Sequence, residues 1–335
     1  MSSSNLQIIN SDCVVIGGGI TGLTIATILQ RKGIKVTVLD KSSEVGGRLA
    51  TCNIDQDEAN KGILDYGIQY FKVKNPQFQV WVDDWLTDRA IEEWCQGFNP
   101  KDSSPCYFGI GGMSGFAKYL AKNLDVHTNT EVTEFSYEKK WLIETQSDRQ
   151  YQGDMLVMTS PVPQSLSLLD ASFVPLPLEV RFSLEQLEYN SCIAVLALLE
   201  KPSGIPAPGG LELNDDSIAW LADNHQKGIS PNGYAITIHA TPKFSEDYWD
   251  SDDAEIIYKL VTAAADYLNS PVIKYQVHRW NYSSPKTFHN ESYLALLELP
   301  LVMAGDAFAA PTVEGAVTSG IAAAKLISQR FGIKD

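Results

Sequence analysis

The 335-residue chain has no apolar run near the about eighteen residues that a membrane-spanning helix needs, so no span is expected. Basic residues are scarce beside acidic ones. There are 26 Lys and Arg against 41 Asp and Glu, a net charge of −15. That balance argues against nucleic acid and anionic membrane surfaces as partners. Cysteine is sparse and unpatterned: Cys13, Cys52, Cys95, Cys106 and Cys192 form no C-x-x-C pair and no metal-ligand spacing. A disulfide scaffold and a zinc site are therefore excluded, no metal is expected, and reduced thiols in a cytoplasmic protein are the expectation. Met1-Ser-Ser-Ser-Asn5 has neither a basic segment nor an apolar core, so no leader is expected. Internal repeats, low-complexity segments, a Ser/His/Asp set and a working pair of carboxylates are also missing.

The chain does have an ordinary globular composition, 44% hydrophobic and 20% charged, with enough length for two domains. Near its start, Val14-Val15-Ile16 reads as a buried strand that breaks into Gly17, Gly19 and Gly22, spaced G-x-G-x-x-G. Ile20, Leu23, Ala26, Thr27 and Leu29 then recur at helical spacing up to Gly33. Ile34 to Leu39 alternates as a second strand and ends at Asp40. Strand, glycine turn, helix, strand and acid are the parts of a dinucleotide site. Gly17 makes the turn, Gly19 admits a pyrophosphate to the backbone, and Gly22 lets helix pack on strand. Free N–H groups at the helix start hold the pyrophosphate, and Asp40 accepts from a ribose hydroxyl. The motif alone does not choose between NAD and FAD. Gly46-Gly47-Arg48 adds a close-approach turn beside a guanidinium able to neutralise phosphate.

Further along, residues 76–98 carry Trp81, Trp85 and Ala90 at helical spacing and read as one or two helices whose aromatics are core. Residues 107–124 read as a glycine turn into a helix with Ser114 as its N-cap. Strands are expected at 126–135, 141–145 and 154–158, with a turn at Tyr137 to Lys140. Pro161, Pro163, Pro175 and Pro177 mark a boundary. Residues 190–199 read as a strand buried on both faces, joined by 218–223, 234–240 and 272–280 in an antiparallel sheet, with a helix over 250–268.

The glycine fingerprint, Asp40 and Gly-Gly-Arg together resemble the flavin amine oxidase superfamily. Asp65-Tyr-Gly-Ile-Gln-Tyr-Phe71, Trp220-Leu-Ala-Asp-Asn224, His278-Arg-Trp280 and Ala304-Gly-Asp306 with Val313-Glu-Gly-Ala316 resemble its compact renalase-like branch. The fold this implies is α/β: a Rossmann-type FAD-binding domain with a mixed-sheet (α+β) substrate domain, similar to amine oxidase and p-hydroxybenzoate hydroxylase. The expected FAD-binding domain is discontinuous, at 1–72, 106–160 and 286–335, and the substrate domain takes 73–105 and 161–285. The resemblance implies non-covalent FAD held by Gly17, Gly19, Ile20, Thr21, Gly22, Asp40, Lys41, Gly47 and Arg48. Ile68, Gln69 and Tyr70 line its ring, and Val132 meets the adenine. Gly305, Asp306, Val313, Glu314 and Gly315 complete the set, the last three at a helix start facing the flavin N1/O2 edge.

The activity implied is oxidation of an isomeric 2- or 6-dihydro NAD(P)H with O2, giving NAD(P)+ and hydrogen peroxide. His278 and Arg279 are the residues expected at the substrate. The plainer alternative is a strand in which His278 and Trp280 share a face while Arg279 makes a salt bridge. Two departures from the branch, Asn281 where it continues with arginine and Thr312 where it often carries one, alter the charge expected near the ring. An FAD-dependent amine oxidase acting on a small amine, and a non-catalytic FAD-binding or redox-sensing protein, remain alternatives.

Overall fold

A computed structural model describes residues 7–57, 61–98, 103–147, 149–296 and 298–333. The stretch Met1–Asn5, where no leader is expected, lies outside the described residues. The chain divides into two compact units, 1–47 with 117–188 and 285–335, and 48–116 with 189–284.

The first unit is built on the predicted strand–helix–strand. Cys13–Ile16 pairs in parallel with Val36–Leu39 on one side and with Met155–Met158 on the other. These strands are the centre of a six-stranded sheet flanked by Leu301–Met303 with Leu294–Ala295 and by Asp125–His127. Val14 and Val15 are wholly buried, as a strand covered on both faces requires. The helices Ile20–Arg31 and Val313–Arg330 pack closely because Gly320 has no side chain: a Cβ there would lie 3.0 Å from the Thr21 carbonyl oxygen. A smaller four-stranded sheet joins Gln7–Asn10, Arg149–Gly153, Trp141–Thr145 and Val132–Tyr137.

The second unit carries a five-stranded sheet in the order Gly210–Glu212, Ile218–Asp223, Tyr234–Ala240, Tyr189–Leu199 and Val272–Pro285. Tyr189–Leu199 shows why its sequence is apolar without alternation. Ile193, Val195, Ala197 and Leu199 pack toward helix Asp253–Ala263, while Ala194, Leu196 and Leu198 pack toward the hairpin Thr51–Asp55/Lys61–Asp65. A three-stranded sheet sets Cys106–Gly109 between Phe71–Lys72 and Ile91–Cys95.

Several local expectations change. The helix expected over 76–98 ends at Thr87; Arg89 takes φ 55°, and Ile91–Cys95 is a strand carrying Trp94. Phe78 and Trp85 are core, packed with Phe71 and Phe116. Ser114 is not a cap. Helix Met113–Ala121 starts one residue earlier, and its leading N–H groups are taken by Asp65 and Thr51. The proline-rich stretch contains helix Val162–Ala171, because a proline in the first turn gives up no internal hydrogen bond. The helix expected over 250–268 starts at Asp253, capped by the Asp252 side chain, and breaks after Ala263. Residues 48–72 and 106–116 share the second unit with its large sheet, where Ile54 and Leu64 pack against Leu196 and Ala235; residues 161–188 belong to the first. Among the described residues, no helix is long and apolar enough to cross a membrane, and no cluster of His, Cys, Asp and Glu has metal-binding geometry.

Candidate functional site

In the first unit the chain turns sharply at Gly17 (φ 112°), where a Cβ would come within 2.5 Å of Thr159 Oγ1. At Gly22 a Cβ would lie 2.0 Å from the Gly17 carbonyl oxygen. Both positions exclude every other residue. Gly19 differs: a Cβ there meets only Gly46 O, at 4.0 Å, and one on Gly47 meets only Gly19 Cα, at 3.8 Å. Open space therefore lies over the facing loops, which are joined by a Gly46 N–H bond to Gly18 O at 2.8 Å. Gly19 gives helix Ile20–Arg31 no side-chain cap, and no acid occupies its first turn, so its positive end faces that space unopposed. Ile20 is buried, and the buried Thr21 hydroxyl donates to Ala316 O at 3.1 Å.

Asp40 is held in place from two sides. Its Oδ2 accepts from Gly18 N–H at 2.6 Å and its Oδ1 from Ser42 N–H at 2.7 Å. A carboxylate offers about four lone-pair sites, so acceptor capacity remains. The Asp40 contact also explains the middle glycine, since a Cβ on Gly18 would sit 2.9 Å from Asp40 Oδ2. Lys41 is exposed beside it. Asn129 N–H bonds to Ser42 O and Thr130 N–H to Asp40 O, both at 2.8 Å, which brings the start of strand Val132–Tyr137 up to this acid. Thr312 Oγ1 caps helix Val313–Arg330 by accepting from Gly315 N–H at 3.0 Å. Gly315 is obligatory, for a Cβ would meet Ala310 O at 2.1 Å. Gly305 N–H donates to Ser319 Oγ at 2.9 Å, fixing the Gly305-Asp306 turn against the same helix. Val313 is buried and Glu314 half-buried.

In the second unit Asp65 and Lys227, 162 residues apart, form an ion pair whose side chains are 0% exposed. Lys227 Nζ donates to Asp65 Oδ2 at 2.6 Å and to Gln69 O at 2.5 Å. It also lies over the rings of Trp94 and Phe108, at 4.7 and 5.3 Å. Burial pushes its pKa down, and Asp65 opposes that shift. Asp65 Oδ1 accepts from Thr51 Oγ1 at 2.5 Å and from Met113 N–H at 2.8 Å, while Asn224 Oδ1 accepts from the Asp65 N–H at 3.2 Å. The segment 65–70 is thus fixed at both ends. Within it, Gln69 Nε2 donates to the carbonyls of Asp65 (2.6 Å) and Gly67 (3.3 Å), which sets the amide's orientation. Gln69 Oε1 is buried without a partner among the described residues. Ile68 N–H bonds to Arg48 O at 2.8 Å, and Arg48 Nη1 donates to Ser283 O at 3.0 Å.

Two aromatic groups flank this segment. Tyr70 packs with Trp94, Phe98 and Trp220, beside a cavity of about 400 Å³ bordered by Glu93, Trp94, Phe108 and Lys227. Burial raises the Tyr70 pKa. Tyr66 stacks on Trp280 with centroids 5.4 Å apart, and His278 meets both, at 4.7 and 4.4 Å. Trp280 Nε1 and His239 Nε2 both donate to Tyr66 O, at 2.8 and 3.1 Å. Burial lowers the pKa of His278, and that of His239 to about 4. Arg279 stands apart from His278. Its guanidinium donates to Trp249 O, Ser251 O and Asp253 Oδ1 at 2.8 to 3.0 Å, the partners of a structural brace.

Residues 15–85 match the profile of an NAD(P)-binding Rossmann-like domain, and residues 88–328 match that of the flavin containing amine oxidoreductases. The chain belongs to the flavin-containing amine oxidoreductase family. It is similar to renalase of Mus musculus, 23% identical over 344 residues that cover 95% of this chain and 99% of the relative. It is also similar to pseudooxynicotine dehydrogenase of Pseudomonas sp, 31% identical over 99 residues, 24% of this chain and 20% of that protein. Among solved structures, a triple mutant of putrescine oxidase superposes with a TM-score of 0.73 at 14% identity, covering 97% of this chain and all 100% of that one. A putative protoporphyrinogen oxidase from Exiguobacterium sp. 255-15 gives 0.72 at 14% identity, over 98% and 100%. At that identity the likeness is one of fold.

Membership makes the protein an oxidoreductase that works with a flavin on a small molecule. The residues present fit such a cofactor on two observations, one in each unit: the open ground over Gly19 and Gly47 at an uncapped helix start, and the orphaned buried acceptor Gln69 Oε1. Asp65 and Asn224 lie in stretches that carry the resemblance, but neither Lys227 nor its pairing with Asp65 is announced by the sequence. A lysine in the polar run Asp223-Asn-His-Gln-Lys227 reads as solvated, and only pairing with Asp65 makes it a core residue.

Proposed function

We propose that the chain binds FAD non-covalently and oxidises an isomeric dihydro form of NAD(P)H with O2 to NAD(P)+ and hydrogen peroxide, in the cytoplasm. The observation that carries this reading is the wall of uncharged rings in the second unit, where Tyr66 stacks on Trp280 and His278 meets both edge-on. A dihydronicotinamide ring is flat and neutral. When it loses hydride it becomes a cation. The π faces of Trp280 and Tyr66 attract that developing charge more strongly than the neutral ring, so they favour the transition state over the bound substrate. His278, its pKa lowered by burial, stays neutral at pH 7 and adds no opposing charge. Hydride loss releases no proton from carbon, so no general base is needed. When bound, FAD supplies the two-electron acceptor that passes its electrons on to O2.

This chain's residues divide the proposed cofactor between them. Gly17, Gly19, Ile20, Thr21, Gly22 and Gly47 give the pyrophosphate its backbone seat, and Asp40 takes a ribose hydroxyl. Arg48 sits by the phosphates, Lys41 and Val132 at the adenosine end, and Ile68, Gln69 and Tyr70 along the ring. Gly305, Asp306, Val313, Glu314 and Gly315 hold the ribityl and N1/O2 side. His278 contacts substrate, and Arg279 braces its strand. Thr312 serves as a helix cap, so this position adds no cation at the helix start. The end-to-end likeness to renalase supports the same reading.

A small amine is the second substrate class, favoured by the family match and by the cluster of Tyr70, Trp94, Phe98 and Trp220. The test is anaerobic mixing of the flavin-loaded protein with 2- and 6-dihydro NAD(P) isomers while flavin absorbance is followed. Fast bleaching, and peroxide on admitting air, is the expected result. Bleaching by an amine panel alone replaces it with the second reading. A flavin that neither class bleaches replaces both with a non-catalytic FAD-binding or redox-sensing role.

A further inference from the structure

Cys95 and Cys106 are direct cross-strand partners in the antiparallel pair Ile91–Cys95/Cys106–Gly109. Antiparallel partners have Cα atoms about 4.5 to 5.5 Å apart, with side chains on one face. Disulfides span about 4.4 to 6.8 Å between Cα atoms. Both cysteines are free, and their thiols lie within hydrogen-bonding reach of one another. The same row continues across the sheet. Lys72 is the register partner of Cys106 on its other side, so an ammonium group flanks the thiols. Cys95 is half-buried and Cys106 buried, which leaves one thiol open to reagent and one behind it. The remaining cysteines have no such arrangement among the described residues.

We propose that Cys95 and Cys106 are a modification site that forms a reversible intrachain disulfide by exchange with a small-molecule disulfide. The thiolate of Cys95 attacks one sulfur of the reagent, a mixed disulfide forms on Cys95, and one reagent thiol departs. Cys106 Sγ, having lost its proton to water, attacks the Cys95 sulfur and expels the second reagent thiol. One reagent disulfide is reduced to two thiols, and two protein thiols are oxidised to one disulfide. The bond ties down the strand next to Trp94, where a register shift falls between Glu93 and Cys95 and where Trp94 Nε1 donates to Pro208 O at 2.8 Å.

The groups acting on the pair set its rate. Burial is the largest influence and raises both thiols, Cys106 to about 12; Lys72 lowers both, Glu93 raises Cys95, and the hydrogen bond between the thiols lowers Cys95. Cys95 is therefore the attacking thiol, and exchange is slow at neutral pH. The rate rises about tenfold per pH unit while pH stays below the thiol pKa.

The experiment treats the full-length, flavin-loaded protein with glutathione disulfide over a range of pH, then digests it without reduction and maps the peptides. The expected result is a Cys95–Cys106 link, a mass lower by two hydrogen atoms, full reversal by dithiothreitol, and a steep rise of rate with pH. Cys106→Ser halts at a stable glutathione adduct on Cys95, and Cys95→Ser leaves Cys106 unmodified. Two results overturn the proposal: a glutathione adduct on Cys95 that persists in the unaltered protein, or both thiols left intact under conditions that modify all five cysteines of the denatured chain.

Discussion

Replacing Lys227 by methionine tests whether the ion pair under segment 65–70 is structural. Methionine fills a similar volume against Trp94 and Phe108 but removes the only cation paired with Asp65 among the described residues. The Asp65 carboxylate, with a side chain 0% exposed, is then left as an uncompensated charge, holding only its bonds from Thr51 and Met113. Breaking a buried pair in this way costs about 3–5 kcal/mol. Adding Asp65→Asn removes the stranded charge and keeps an acceptor for Met113 N–H. The double variant is therefore expected to be more stable than Lys227→Met alone, with a coupling of about 2 kcal/mol or more. Urea denaturation of wild type, both single variants and the double variant, followed by far-UV circular dichroism, gives all four free energies. The reasoning is refuted if Lys227→Met costs less than about 1 kcal/mol, or if the double variant is no more stable than that single one.

Gly22→Ala, whose Cβ would lie 2.0 Å from Gly17 O, is expected to lower Tm sharply and yield colourless protein, whereas Gly19→Ala, with 4.0 Å of room, keeps its Tm but retains less flavin. Both are read by melting curves and visible absorbance. His239 is held neutral by burial, which lowers its pKa from 6.5 to about 4. Its contribution is complete above pH 6.5, where both folded and unfolded forms are neutral, and is lost as pH falls toward about 4, because the unfolded chain takes up the proton first. The loss amounts to about 3 kcal/mol at most. His239→Gln keeps a donor for Tyr66 O, so the stability difference between wild type and variant should shrink or reverse between pH 7 and pH 4.5, as measured by urea denaturation. Arg279→Ala should cost about 1–3 kcal/mol of stability from its lost bonds to carbonyls and Asp253, with flavin reduction by substrate unchanged. His278→Ala should slow that reduction with little change in Tm; rapid-mixing spectroscopy on both variants separates the two roles.

Local signals were the legible part of this protein. The strand, glycine turn, helix, strand and Asp40 fall within one stretch, where every contact that defines the turn is short in sequence: Gly22 against Gly17, Gly18 against Asp40. Strands Ile218–Asp223 and Tyr234–Ala240 were equally plain, since their apolar runs meet one sheet. The strand Ile91–Cys95 is hidden because Trp81, Trp85 and Ala90 keep helical spacing past the helix end at Thr87, and the turn at Arg89 has no glycine or proline to announce it. Ser114 was a sound local guess that a distant carboxylate displaced.

The sequence by itself determined the strand, glycine turn, helix, strand and closing acid of the first unit, because a backbone turn too tight for any Cβ and an acid one strand later are encoded in one short stretch. Tertiary structure alone decided that Asp65 and Lys227 share a dry interior, that Arg279 braces a strand, and that Cys95 faces Cys106. Each of those outcomes depends on which strands lie side by side, and no periodicity records a partner that is remote along the chain.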